Sequence, residues 1–206
     1  MATAVTICNL ALSHIGDSAT ISSIDPPDGT AQAEACSRLY PLALSTALDM
    51  HNWAFATRRV DLPKMAEGSV EKGPWRNAFA LPSDCKRLID LRETGMDAFV
   101  FHPPKAEWEV VGDSTGLIVL TNCESVTARY VCSDPKPSQF TGLFTDALAW
   151  LLGSYLAGET IRGDSASQYV TNCMKMYQTL LLTAQRQDAR QTERKPRHVP
   201  SWIARR

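Results

Sequence analysis

Hydrophobic and polar positions repeat with two different periods along the chain, and the first part has the period of an α-helix. Between Thr3 and Ile15, apolar residues recur every three or four positions, which predicts an amphipathic helix. Gly16 is expected to end it in the left-handed conformation. A second helix is predicted from near Thr30 to about His51. Pro41 lies within it and is expected to kink or split it, because proline has no amide donor. The predicted inner face of the first helix comprises Val5, Cys8, Leu12 and Ile15.

From Arg58 to Cys132 the period changes to two, which is typical of β-strands that bury one face. Trp53 and Phe55 are expected to lie on one side of a strand that emerges just before this region. Two stretches alternate clearly: Ala106, Trp108 and Val110 with Glu107 and Glu109, and Ala128 and Tyr130 with Thr127 and Arg129. The runs "RLIDLRE", "AFVFH" and "LIVLTN" are further predicted strands, and Gly and Pro between them predict turns.

Helical spacing returns after "SDPKPS" and predicts two more helices. The third has a wide apolar stripe, and Ala149, Gly153 and Ala157 on it would let another helix approach closely. The fourth is predicted to begin at Ser165, where Gln168 completes a capping box, and its core stripe to end at Ala184. The third stripe comprises Phe140, Leu143, Phe144, Ala147, Leu148, Leu151, Leu152, Tyr155 and Leu156; the fourth comprises Val170, Cys173, Met174, Tyr177, Leu180, Leu181 and Ala184.

These elements predict an α+β fold: a four-helix bundle-like body with an inserted small antiparallel β-module and an extended basic C-terminal tail. The body is assigned to residues 1–57 and 136–190, the β-module to 58–135, and the tail to 191–206.

Composition narrows the class of protein. The net charge is −1, no signal-peptide pattern is present, and the most apolar run, "ALAWLLGSYLAG", is too short to span a bilayer. A soluble, intracellular chain without membrane insertion is expected. Its six cysteines contain no C-x-x-C pair, and its four histidines are dispersed. No metal site and no cofactor are therefore predicted, and the cysteines are interpreted as buried core thiols.

One motif raises the possibility of catalysis. Residues 112–116, "GDSTG", match the G-x-S-x-G elbow of serine hydrolases, with Ser114 as the nucleophile. Asp146 or Asp164 and then His198 follow in hydrolase order. The elbow requires a helix after the serine, whereas "LIVL" predicts a strand. The motif is better explained as a hairpin tip, and the chain is predicted not to be an enzyme.

The last 22 residues concentrate positive charge. Residues 185–206 contain seven Arg or Lys against two acidic residues, so this segment carries +5 and the remainder −6. Three interpretations are open: a disordered solubilising tail, phosphate contacts with nucleic acid, or an arm that docks on a protein. Apolar anchors among the basic residues favour the docking arm. The predicted docking residues are Arg194, Arg197, Val199, Trp202, Ile203, Arg205 and Arg206.

The order of motifs resembles a known family. Near the start the matching residues are Asn9, Leu10, Leu12, Ile15, Gly16, Ala31 to Ala35, Trp53 and Phe55; further on they are Phe79, Leu81, Pro82 and Asp84. The segments "WEVVGDSTGLIVLT", "VTARYV" and "FTDALAWLLGSYLA" continue the match. Over about Thr3 to Ala184 the chain is similar to the head-to-tail adaptors of short-tailed bacteriophages, the tail tubular protein A family.

The resemblance implies a structural virion protein. Its copies, twelve by analogy, would form a ring that joins the phage portal protein to the tail nozzle protein. Genomic DNA would pass through the lumen without sequence-specific binding. The protein would be found at the head–tail interface of the virion, and in the host cytoplasm during assembly. The alternatives are a serine hydrolase acting through Ser114 and a small nucleic-acid-binding protein with a basic tail.

Overall fold

The computed structural model describes residues 2–68, 70–94, 106–113, 116–160 and 165–191. Within them, four helices flank six strands, which form two antiparallel sheets, so the fold is α+β as predicted. The helices are α1 (Ala4–His14), α2 (Ala31–Asp49), α3 (Gly142–Thr160) and α4 (Ser165–Ala189). The strands are β1 (Thr57–Asp61), β2 (Asn77–Ala80), β3 (Cys85–Glu93), β4 (Trp108–Asp113), β5 (Gly116–Thr121) and β6 (Val126–Cys132).

Helix α1 begins and ends through local hydrogen bonds. Thr3 and Thr6 form a reciprocal capping box at its start. At its end, Gly16 has a φ of 81°, which confirms its left-handed conformation, and the Asp17 amide donates to the Leu12 carbonyl at 3.0 Å. One residue of α1 also holds the following loop. The Asn9 side chain donates to the Ile21 carbonyl at 3.0 Å and accepts from the Ile21 amide at 2.8 Å.

Helix α2 is continuous through Pro41, so of the expected kink or split, the split is wrong. Thr30 caps the helix by accepting from the Ala33 amide at 3.2 Å. Pro41 is exposed, whereas its neighbours Tyr40 and Ala43 are buried. Packing on both sides of the proline therefore keeps the helix in one piece despite the missing amide donor.

The Trp-x-Phe pair does not lie on a strand, which corrects the prediction. Trp53 precedes a short 3₁₀ turn over Ala54–Ala56, and β1 starts only after it. The two rings are nonetheless neighbours, with centroids 5.8 Å apart. The Trp53 indole donates to the Ala47 carbonyl at 2.9 Å, so the tryptophan attaches the turn to the end of α2.

The two sheets have strand orders β1-β6-β3 and β2-β5-β4. In β6, Ala128 and Tyr130 are buried and alternate with half-buried Thr127 and Arg129, as predicted. In β4 the apolar positions are more open than the alternation suggests, since Trp108 and Val110 stay 36% and 37% exposed. The reason is that β4 is the outer strand of its sheet within the described residues. The predicted strand "AFVFH" lies outside the described residues.

Helices α3 and α4 pack against each other and against α1. On α3, Ala149 and Ala157 are fully buried, and Gly153 lies beside the Ala11 carbonyl and the Cys173 thiol, which confirms the predicted close approach. The predicted end of the α4 core stripe at Ala184 is wrong. Asp188, one helical turn further, is only 4% exposed and contacts the body. The predicted cap of α4 lies outside the described side chains.

The large hydrophobic core is shared by helices and strands. It includes Leu12 of α1, Leu48 of α2, Leu152 of α3, and Leu91 and Val131 of the β1-β6-β3 sheet. A second, much smaller cluster consists of Ala78, Ile118 and Leu120 in the other sheet. Apart from the first residue of β1, all six strands fall within 58–135, the range assigned to the β-module. The domain boundaries themselves stay a prediction.

Candidate partner-binding site

The predicted docking residues of the tail lie outside the described residues. They are Arg194, Arg197, Val199, Trp202, Ile203, Arg205 and Arg206. The structure describes helix α4, which directly precedes these residues. Helix α4 ends at Ala189, and the described chain ends two residues later at Gln191.

The last turn of α4 is attached to the body by the buried carboxylate of Asp188. Both of its oxygens accept from the Ala54 amide at 3.1 Å, and one lies 3.3 Å from Nε2 of His51. The Gln185 side chain, one turn earlier, donates to the Met50 carbonyl at 3.1 Å. Because these bonds join residues far apart in sequence, they hold the last turn of α4 against the segment that precedes β1.

The 3₁₀ turn that receives Asp188 is itself held by an aromatic cluster, which comprises Trp53, Phe55, Phe140 and Phe144. Phe144 lies at the centre, with its ring centroid 4.8 Å from that of Trp53 and 4.8 Å from that of Phe55. Such tilted and edge-to-face pairs stabilise beyond the area that they bury. The turn to which α4 is attached is therefore held in place by aromatic side chains of the core.

A polar cleft of about 500 Å³ opens beside this attachment. Its lining combines charged and hydrogen-bonding side chains with the end of α4: His51, Asn52, Ala54, Ile89, Arg129, Asp188 and Ala189. The set contains no Ser, Thr, Cys or Lys side chain that could act as a nucleophile.

Arg129 also lines a second cavity, of about 230 Å³, on the outer face of the β1-β6-β3 sheet. Arg59 and Arg92 belong to the same cavity, so basic side chains are not confined to the tail. The face is mixed in charge, however. Asp90 pairs with Arg92 at 3.1 Å, and Asp61 accepts a hydrogen bond from Thr127. Neutralisation by these carboxylates makes the face a weaker phosphate surface than the number of arginines suggests.

Ser114, the nucleophile of the alternative hydrolase, lies outside the described residues. The strands on either side of it pair with each other, with Asp113 opposite Gly116. A two-residue connection between paired antiparallel strands is a β-hairpin, whereas the nucleophile elbow leads from a strand into a helix. Gly116 has a φ of 138°, a conformation that favours glycine at such a tip.

The described residues include neither a candidate metal site nor a helix that could span a membrane. Among them, no three His, Cys, Asp or Glu side chains are grouped closely enough to hold a metal ion. None of the helices in this part of the chain is both long and apolar enough to cross a bilayer. Five of the six cysteines are buried, as the core-thiol interpretation predicts; Cys123 is half-buried.

Comparison with known proteins does not assign the chain to a family. No protein-family model matches the chain, and a search of curated proteins finds no significant match. The resemblance to the phage adaptors therefore stays a prediction based on the motifs quoted above.

Sequence reasoning missed His51, Arg129 and Asp188 as a group. The available signal was the position of Asp188, which continues the α4 stripe one turn beyond Ala184. A carboxylate on a core-facing stripe indicates a buried partner, because an unpaired buried charge is costly. Nothing in the local sequence indicates that this partner is the backbone of residue 54.

Proposed function

We propose that this chain is a structural virion protein, the portal-to-tail adaptor of a short-tailed bacteriophage. Copies of it, twelve by resemblance, form a ring that joins the portal protein to the tail nozzle protein and continues the DNA channel. DNA passes through the lumen without sequence-specific contacts. The protein resides at the head–tail interface of the virion and in the host cytoplasm during assembly.

The observation that carries the proposal is the attachment of the last turn of α4, the helix that precedes the C-terminal tail. Asp188 attaches the end of α4 to a turn that the aromatic cluster holds in the core. A basic tail with apolar anchors that starts from a rigid point loses less entropy on docking than one that starts from a flexible helix end. This favours a docking arm over a solubilising tail.

The first experiment mixes the full chain with the portal protein encoded in the same genome and counts decorated portals by negative-stain electron microscopy. Deletion of residues 195–206 is expected to leave the fold intact and to abolish decoration. A truncated chain that decorates portals at wild-type occupancy would contradict the proposal.

A point substitution distinguishes the contribution of Trp202 from the general effects of deleting residues 195–206. Trp202→Ala is expected to weaken portal binding by on the order of 2 kcal/mol, or roughly 30-fold, as for a buried interface anchor. Trp108→Ala is the matched control, because it removes a partly exposed tryptophan that lies on β4. Equal loss in both variants would mean that the tail tryptophan is no specific anchor.

Two measurements test the alternatives. If the chain is a hydrolase, it turns over a model ester, and Ser114→Ala abolishes that turnover. If it is a nucleic-acid-binding protein, its affinity for duplex DNA falls steeply as salt increases. We expect neither turnover nor tight DNA binding at physiological salt.

A further inference from the structure

The outer face of helix α4 is exposed and almost uncharged. Residues 165–185 contain a single charged side chain, Lys175, whereas 21% of the whole chain is Asp, Glu, Lys or Arg. The inner face of the helix packs on α3 and includes the buried side chains of Cys173, Tyr177 and Ala184. Because a helix usually carries charged residues on the side that faces water, the lack of charge indicates that another surface covers the outer face.

Five exposed positions on this outer face repeat with the spacing of a coiled-coil seam. They follow one another at intervals of three, four, three and four residues, so they form one stripe along the helix. Two of them are large and apolar: Tyr169 is 41% exposed and Met176 is 42% exposed. The next position in the series is the exposed Arg186, which ends the uncharged stripe. The stripe, which we name the α4 seam, comprises Tyr169, Asn172, Met176, Thr179 and Thr183.

Hydrogen bonds within α4 prepare the two threonines of the seam for burial. The Thr179 hydroxyl donates to the Lys175 carbonyl at 3.0 Å, and the Thr183 hydroxyl donates to the Thr179 carbonyl at 3.1 Å. Covering these side chains with another surface would therefore leave no hydroxyl proton unpaired. Asn172 adds one polar side chain, and a single asparagine in a helical seam fixes the register of the contact.

We propose that the α4 seam binds a second copy of this chain, as a lateral contact of the ring. The inference rests on the proposed function, in which every copy has a neighbour on each side. Few charges together with exposed tyrosine and methionine are typical of the centre of a protein–protein interface.

Charge favours a second copy over the other possible occupants. Residues 1–184 carry −6, so two copies repel each other over much of their surface, and the uncharged seam lets them approach without opposing like charges. A nucleic acid would require several cations, whereas Lys175 is the only one between residues 165 and 185. A helix that lies on a membrane surface likewise has a basic polar face.

The length and position of the seam suit a contact that forms on the portal. Helix α4 leads directly into the tail that is proposed to bind the portal, so copies docked around one portal present this helix in the same orientation. The seam is only about 20 Å long. A single contact of this length should be weak, because it buries much less than a standard interface. It becomes effective at the high local concentration that a symmetric portal provides.

The experiment measures self-association of the full chain without the portal, by sedimentation equilibrium from about 10 μM to about 1 mM. The average mass of the wild type should be that of a monomer at the lower end and should rise reversibly toward the upper end. Met176→Glu should raise the dissociation constant by about tenfold or more, because an unpaired charge in the middle of the seam is costly to bury.

Gln178→Glu is the matched control. It adds the same charge at an exposed position of α4 that lies outside the seam, and it should associate as the wild type does. Both variants should unfold at the wild-type denaturant midpoint, since both positions are exposed. If Met176→Glu is destabilised, Tyr169→Ala, in the same seam, takes its place. The inference is overturned by a wild type that stays monomeric up to the highest concentration, or by equal association of the wild type and the seam variant.

Portal decoration separates this inference from the proposed function. Met176→Glu should still attach to portals through its tail but leave incomplete rings in negative-stain images. Complete rings of this variant would overturn the seam as the lateral contact, although the chain would still be an adaptor. If the wild type associates through the seam but never decorates portals, the proposed function fails and the contact between copies stands.

Discussion

His14 lies in the contact between α1 and α3, where its charge is disfavoured. Its side chain is 10% exposed, its ring centroid lies 3.7 Å from that of Trp150, and its Nε2 is 3.8 Å from a carboxylate oxygen of Asp146. Burial lowers the pKa of His14 below its usual value of 6.5, and the nearby Asp146 only partly opposes this. The folded state therefore binds the proton less tightly than the unfolded chain does.

This difference predicts a pH dependence of stability. As the pH falls below about 6.5, the unfolded chain takes up the His14 proton first, so the free energy of unfolding decreases until the lowered pKa is passed. Above about 6.5, His14 contributes no slope. Urea denaturation of the wild type and His14→Gln between about pH 5 and pH 8 measures the difference. Identical pH dependence in the two proteins would contradict this prediction.

Asp188 gives a second prediction for a single residue. Asp188→Ala leaves the Ala54 amide without its acceptor and His51 without its carboxylate, and should lower the free energy of unfolding by about 1–3 kcal/mol. Asp188→Asn retains one acceptor oxygen and should cost less. Denaturant unfolding of the three proteins gives the order. Equal stability of the alanine variant and the wild type would mean that the end of α4 is not attached as described.

Among the elements, the contact of α3 with α1 and α4 depends on the small size of Gly153. A Cβ at this position would lie 3.4 Å from the Ala11 carbonyl oxygen, 3.6 Å from a methyl group of Ile15 and 3.7 Å from the Cys173 sulfur. Alanine therefore fits at contact distance, and any larger side chain must displace α1 or α4.

The expected result is a size-dependent loss of stability at this glycine. Gly153→Ala should be near neutral, whereas Gly153→Leu should lower the free energy of unfolding by about 3 kcal/mol. Gly158→Leu is the matched control on the same helix, because a Cβ there meets nothing within 4 Å. It should be neutral or slightly stabilising, since leucine is the better helix former. A tolerant Gly153→Leu would show that α3 packs less closely than described.

Helices were the most predictable elements, because their ends depend on residues that are close in the sequence. Thr3, Gly16 and Thr30 act through hydrogen bonds or backbone angles within a few residues. The split expected at Pro41 does not occur. The destabilisation by proline can be read from the local sequence, whereas the packing that outweighs it comes from other elements. The alternation at Trp108 correctly predicts a strand, but it cannot distinguish an edge strand from a central one and so does not predict how exposed the tryptophan is.

The site was far less predictable than the fold, for a physical reason. The Asp188 carboxylate is buried by a contact with residue 54, more than 130 positions away. Periodicity places Asp188 on the inner face of α4, but it carries no information about which backbone amide lies opposite. For Arg129, the sequence predicts only a position on the polar face of a strand. The tertiary structure brings it into the cleft beside α4.

For the molecule as a whole, the proposed function predicts how it assembles. An adaptor that closed into rings before meeting the portal would compete with ordered assembly, so the isolated chain should be mostly monomeric. A symmetric portal would raise the local concentration of neighbouring copies and promote their lateral contacts. Light scattering at micromolar concentration measures the state of the isolated chain. A stable ring formed alone would contradict the template requirement but not the adaptor role.

The unequal size of the two hydrophobic clusters implies that the molecule does not open all at once. Strands β2 and β5 contribute Phe79 and Val119 to the large core, whereas β4 rests on the small cluster around Ile118. In hydrogen–deuterium exchange, the β4 amides that pair with β5 should therefore lose protection well before those of β6, which lies between two strands. Equal protection of β4 and β6 would mean that the sheets unfold as one cooperative unit. With the expected order, unfolding begins at the β4 edge and leaves the large core, which the helices share with the β1-β6-β3 sheet, as the last part to open.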